Sequence, residues 1–201
     1  MTMTGPPQVS AWNIANYLTV LRLLLVPVFL VLLLMREGQD DLLRLAAAGV
    51  FLLAAVTDRV DGQIARSRGL VTSFGKMVDP IADKALIGGA LVGLSVLGEL
   101  PWWVTVLVLV REIGVTLLRF VVIRHGVMPA GRGGKLKTVL QVVALTAYLL
   151  PLPEVLQPVA LALMAVAVLV TLVTGAEIVV QALRLRTTSE RADAKRQARA
   201  R

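Results

Sequence analysis

An all-α integral membrane protein of six transmembrane helices, with both termini cytoplasmic, is the fold class this sequence predicts. Three observations lead there. Of 201 residues, 57% are hydrophobic and the mean hydropathy is +0.78, far above the balance of a soluble domain. Six apolar runs approach or reach the roughly 17–25 residues that a helix needs to cross a bilayer. Lys and Arg gather at alternate connections between those runs, as the positive-inside rule requires of a chain that crosses back and forth.

The first run spans residues 17–35. The preceding "MTMTGPPQVSAWNIAN" carries no Lys or Arg, and no small-residue cleavage site follows the run, so it reads as a span and not as a secretory leader. The other runs cover residues 41–57, 78–98, 101–123, 136–152 and 155–183. Arg66, Arg68, Lys76 and Lys84 surround the second connection, and Arg124, Arg132, Lys135 and Lys137 the fourth. The third and fifth, "LGELPWW" and "LPLPEVLQP", contain neither Lys nor Arg. The even-numbered connections therefore face the cytoplasm. Arg36 and Arg44, in and beside the first outer connection, run against the rule, although Glu37, Asp40 and Asp41 accompany them. Trp12, Trp102 and Trp103 fall where interfacial anchors belong. Residues 1–186 then form one membrane domain of the plasma membrane, and residues 187–201 a basic tail that reads as a solvated or weakly helical surface segment.

Composition excludes several classes of chemistry. With no cysteine there is neither a disulfide nor a thiolate-bound metal. The net charge of +8 could suggest nucleic acid. Its cations border the spans, however, where topology and contact with anionic membrane lipids explain them. No nucleic-acid partner is expected.

The informative stretch is "DRVDGQIARSRGLVTSFGKMVDPIAD", residues 58–83, which sets four aspartates beside hydrocarbon. If residues 58–66 continue the second helix, Asp61 falls at about 300° from Asp58, Gly62 at about 40° and Ala65 at about 340°. On the third helix Asp79 and Asp83 fall at about 40° and 80° from Gly75. Each helix thus offers two carboxylates beside nearly side-chain-free positions. Four converging carboxylates repel strongly at low dielectric, and two divalent cations balance their charge. All-oxygen ligands suit Mg²⁺, Mn²⁺ or Ca²⁺, and a pair of such ions is a recognised clamp for in-line displacement at phosphorus. The competing reading makes these solvated loop and capping residues, with Asp79 an N-cap and Pro80 the first helical position. The shared spacing on both helices favours the metal site.

The pattern Asp58-x2-Asp61-Gly62-x2-Ala65-Arg66-x8-Gly75-x3-Asp79-x3-Asp83 resembles the signature of the CDP-alcohol phosphatidyltransferase family at each of its fixed positions. The six-span layout is also similar to that family. The resemblance implies two divalent cations, Mg²⁺ or Mn²⁺, held by Asp58, Asp61, Asp79 and Asp83. It implies a CDP moiety near Asp61, Gly62, Ala65, Arg66 and Gly75, with Asp83 as general base. It further implies attack of an alcohol on the lipid-linked phosphate of CDP-diacylglycerol, loss of CMP, and a homodimer.

The acceptor is read from the remaining cations. Arg111 and Glu112 sit about ten residues inside the fourth apolar run, where an Arg is costly unless it faces a polar cavity or a partner. One reading is a structural Arg–Glu pair. The other aims Arg111 at an acceptor phosphate, together with Lys135 and Lys137 after the flexible Gly133-Gly134. "NIANYLTVLR" (13–22), "REIG" (111–114) and "GKLKT" (134–138) resemble the branch of the family that uses sn-glycerol 3-phosphate, with Ala15 in place of its usual proline. The same-family alternative takes inositol phosphate as acceptor. A different class, a divalent-cation transporter, would need polar residues continuing to the outer side, and there the runs are almost wholly Leu, Val and Ala.

Overall fold

The computed structural model describes residues 14–67, 73–122 and 133–199, with side chains described at 17–58, 78, 81–118 and 136–182. Six α-helices follow one another: α1 (Ile14–Leu34), α2 (Asp41–Ser67), α3 (Ser73–Val96), α4 (Trp102–Val122), α5 (Gly133–Leu149) and α6 (Gln157–Arg199). Short 3₁₀ turns at Met35–Gly38 and Glu154–Leu156 precede α2 and α6. There is no strand among the described residues, so the all-α expectation holds.

Each apolar run became a helix, but three helix ends moved by five residues or more. Helix α2 continues ten residues beyond the apolar run, through Ser67, which carries Asp58, Asp61, Gly62, Ala65 and Arg66 on one helix. Helix α3 starts at Ser73, so Asp79 and Pro80 lie past its first turn and the N-cap reading of that pair fails. Helix α6 runs unbroken to Arg199, because Ala, Arg, Lys, Glu and Gln in the tail all sustain helix.

Two helical segments, Tyr17–Gly38 and Glu154–Ala182, are long and apolar enough to cross a bilayer, and only 28% and 33% of their most apolar windows are buried. Such exposure suits helices solvated by lipid better than the core of a soluble protein. The other helices also turn large apolar side chains outward, among them Leu42 and Leu53 of α2, Val96 of α3 and Val110 and Leu117 of α4. Small residues go inside instead, including Ala47, Ala48, Ala54, Ala82 and Ala90, as expected where packing and not hydrophobicity holds helices together.

The chain divides into two compact units. The first comprises Met1–Leu100 and Leu145–Leu156. Within it, α1 packs on both α2 and α3. Phe29 and Phe51 meet with ring centroids 5.6 Å apart. Gly93 lets α1 approach α3 closely: a Cβ there would stand 2.8 Å from Leu33 Cδ2, the kind of contact that small residues allow between helices. The turn after α1 places Arg36, Glu37 and Gly38 in left-handed conformation. Asp40 then caps α2, its Oδ1 accepting from the backbone N–H of Leu42 and Leu43, each at 3.1 Å.

Arg44, which runs against the expected topology, has partners within this unit. Its guanidinium pairs with both carboxylate oxygens of Glu99, and it donates to the carbonyl of Tyr148 at 2.6 Å and of Leu149 at 3.3 Å. These carbonyls end α5, where no intrahelical donor remains. The charge is thus matched by Glu99. Arg36 is similarly matched, by Asp40 at 3.1 Å.

The second unit comprises Pro101–Ala144 and Gln157–Arg201. In it α4 packs along α6, with Val104, Val108, Val115, Ala160, Met164 and Ala167 buried. Trp102 and Trp103 stand exposed at the start of α4, as interfacial anchors would. Trp12 lies outside the described residues.

Candidate active site

The signature residues divide between two helices of the first unit. Helix α2 carries Asp58, Asp61, Gly62, Ala65 and Arg66, and α3, which packs against it, carries Gly75, Asp79 and Asp83. That is the two-helix arrangement the spacing required. The side chains of Asp61, Ala65, Arg66 and Asp79, and the surroundings of Gly62 and Gly75, lie outside the described residues. Of the four carboxylates, Asp58 and Asp83 are described, and both are half-buried.

Asp58 has a partner that the sequence reading missed. Arg22 of α1 is fully buried, and its Nη1 lies 2.5 Å from Asp58 Oδ1, whose side chain is 33% exposed. Arg22 was legible as part of "NIANYLTVLR", and an Arg within an apolar run should itself have prompted a search for a carboxylate. Immediately before the aspartate, Thr57 donates its hydroxyl to the carbonyls of Leu53 and Ala54 at 2.9 Å. Carboxylate oxygens are donors of the type that suits a hard divalent cation; the buried Arg22 guanidinium holds that of Asp58 in place, with one third of its side chain still exposed.

The second unit brings Arg111 together with Lys137. Arg111 Nη1 donates to Glu112 Oε1 at 2.9 Å, and Lys137 Nζ donates to the same oxygen. Arg111 Nη2 donates to Thr174 Oγ1 at 2.8 Å, and that hydroxyl in turn donates to the Val170 carbonyl at 2.7 Å. One turn along α5, Gln141 Nε2 donates to Thr171 Oγ1 at 3.2 Å. Arg111 and Glu112 are 10% and 16% exposed. A buried guanidinium and ammonium meeting at a single oxygen make a ready anion-binding arrangement. Lys135 lies on α5, but its side chain is outside the described residues, as is Arg132 altogether. Sequence reasoning found the Arg–Glu pair and missed Thr174, Gln141 and Thr171; isolated polar residues within apolar helices were the available signal.

Comparison with known proteins decides the family. The CDP-alcohol phosphatidyltransferase family matches residues 12–193. The chain belongs to that family. Among its relatives, a probable phosphatidylglycerophosphate synthase of Mycobacterium tuberculosis is 55% identical over 172 residues, covering 86% of this chain and 82% of the relative. A CDP-diacylglycerol--glycerol-3-phosphate 3-phosphatidyltransferase of Bacillus subtilis is 38% identical over 179 residues, covering 83% and 93%. The protein of that name from Rickettsia typhi is 42% identical over 139 residues, covering 69% and 76%. For a CDP-alcohol phosphatidyltransferase, the eight signature residues on α2 and α3 and the cation pair on α4 and α5 fall inside the matched range.

Proposed function

We propose that this chain transfers a phosphatidyl group from CDP-diacylglycerol to sn-glycerol 3-phosphate, giving phosphatidylglycerophosphate and CMP. The observation that carries the reading is the intact eight-residue signature on two adjacent helices, in a chain 55% and 38% identical to proteins named for this product and reaction. In the transfer, a hydroxyl oxygen of the acceptor forms a bond to the lipid-linked phosphorus. The bond from that phosphorus to the CMP oxygen breaks, and Asp83 takes the hydroxyl proton.

The donor set fits two divalent cations, Mg²⁺ or Mn²⁺, held by Asp58, Asp61, Asp79 and Asp83. When bound they supply charge neutralisation for the diphosphate and the departing CMP. Arg22 orients the Asp58 carboxylate from α1. Gly62, Ala65 and Gly75 leave room for the CDP moiety beside Asp61, and Arg66 pairs with a phosphate oxygen. Arg111, Lys137 and Lys135 receive the acceptor's phosphate. Retention of a phosphorylated acceptor favours glycerol 3-phosphate or inositol phosphate over neutral alcohols, and the relatives' names favour the first.

In this reading all six helices cross the plasma membrane, both termini and the active site face the cytoplasm, and the protein works as a homodimer among membrane lipids. Residues 1–186 are the membrane domain, and 187–201 the basic tail that prolongs α6. The full-length protein in detergent, given CDP-diacylglycerol and labelled sn-glycerol 3-phosphate, should move label into the lipid phase. Label that stays aqueous at saturating Mg²⁺ and Mn²⁺ sinks the reading.

A further inference from the structure

We infer that the Glu112 carboxylate is the internal counter-ion of the acceptor pocket: it occupies the seat of the acceptor's phosphate and exchanges with it, while Thr174 and Gly175 of α6 hold Arg111 to that seat. The inference rests on the reading of Arg111 and Lys137 as acceptor residues. One oxygen, Glu112 Oε1, accepts from both Arg111 Nη1 and Lys137 Nζ. A phosphate oxygen placed between the same guanidinium and ammonium has the same two donors.

The Arg111–Glu112 contact is suited to exchange. Consecutive residues on a helix do not face each other, so this pair forms only because both side chains bend to a common point with Lys137. No helical register secures it, and a dianionic tetrahedral ligand can compete for both cations. Arg111 itself is held from the other side. Its Nη2 donates to Thr174 Oγ1 at 2.8 Å. A Cβ added at Gly175 would stand 2.7 Å from Arg111 Nε and 3.1 Å from its Cγ. The guanidinium therefore lies flat on α6 at a position only glycine leaves open, and its Nε has no hydrogen-bond partner among the described residues. Thr174 and Gly175 are positioning residues; they act through Arg111.

The test uses the full-length enzyme in detergent, with inorganic phosphate as a competitor of sn-glycerol 3-phosphate. E112Q, and E112D with its shorter reach, should lower both the phosphate Ki and the glycerol 3-phosphate KM by about three- to tenfold, because a competing charge-assisted contact is removed. T174V and G175A should raise both by about tenfold, and T174S should restore parent values. KM for CDP-diacylglycerol should stay within about twofold throughout, a split that general loss of packing would not produce. Should E112Q not fold, E112D and the T174V/T174S pair carry the test. Unchanged or raised Ki in the Glu112 variants overturns the exchange, and T174V and G175A with parent constants overturn the Arg111 seat. If phosphate does not compete in the parent and R111K leaves KM unaltered, the acceptor reading itself has failed, which is a distinguishable result.

Discussion

Arg44→Met removes the guanidinium while keeping most of the side-chain length, and its cost can be worked from the structure. The change strips Glu99 of a two-oxygen pairing and leaves the Tyr148 and Leu149 carbonyls at the end of α5 without their donor. Arg44 is 11% exposed and Glu99 28%. Breaking a buried pair costs about 3–5 kcal/mol, and water reaching Glu99 brings the expectation down to about 3 kcal/mol. For a chain of this size that is a fall in Tm of roughly 6–12 °C. Glu99→Gln retains one acceptor, so it should cost about 1 kcal/mol. Because the residues are partners, the double variant should lose less than the sum of the two. Substrate constants measured well below Tm should not move, since Arg44 lies fourteen residues from Asp58 along α2, about 21 Å at helical rise. Thermal unfolding in detergent reads all three variants. An unchanged Tm for Arg44→Met, or strict additivity in the double variant, would refute the clasp.

Three further outcomes concern the chemistry. Asp83→Asn keeps the shape but cannot take the acceptor's proton, so turnover should fall by about 10²-fold or more while CDP-lipid binding survives; activity within a few-fold of the parent removes Asp83 from that role. Excess chelator should abolish activity and lower Tm, with Mg²⁺ or Mn²⁺ restoring both; a Tm that ignores the chelator counts against a carboxylate site that needs its cations. Arg111→Ala and Lys137→Ala should raise KM for sn-glycerol 3-phosphate, with about 10- to 150-fold lost in kcat/KM, and Arg66→Ala should weaken CDP-diacylglycerol instead; parallel losses for both substrates in every variant would erase that division of labour.

The parts of this protein legible in its sequence are those written in local spacing. Asp58, Asp61, Gly62 and Ala65 share a helix face by arithmetic, and the structure extends α2 far enough to use it. Helix ends were less legible, because hydropathy marks where hydrocarbon contact stops and helices continue beyond it. Ser73–Met77 therefore joined α3, and the tail joined α6. Contacts distant in sequence were not legible at all. Nothing local to Arg44 points to Glu99, 55 positions away, although a cation at odds with the expected topology was a sign that a partner existed. The same holds for Arg22 with Asp58 and for Arg111 with Thr174. Each is a charged group inside an apolar helix, and its energetic cost announces a partner without naming it.

The most direct test of the central claim is the rate of CMP release from CDP-diacylglycerol by the full-length protein, compared across sn-glycerol 3-phosphate, inositol, inositol phosphate and serine at saturating divalent cation. The account predicts that sn-glycerol 3-phosphate is at least about tenfold faster than inositol and serine, which bring no phosphate to the proposed Arg111 and Lys137 pocket, and faster than inositol phosphate, as the relatives' names lead one to expect. Faster release with inositol phosphate would contradict the acceptor assignment, and no CMP release with any of the four would contradict the phosphatidyl transfer itself.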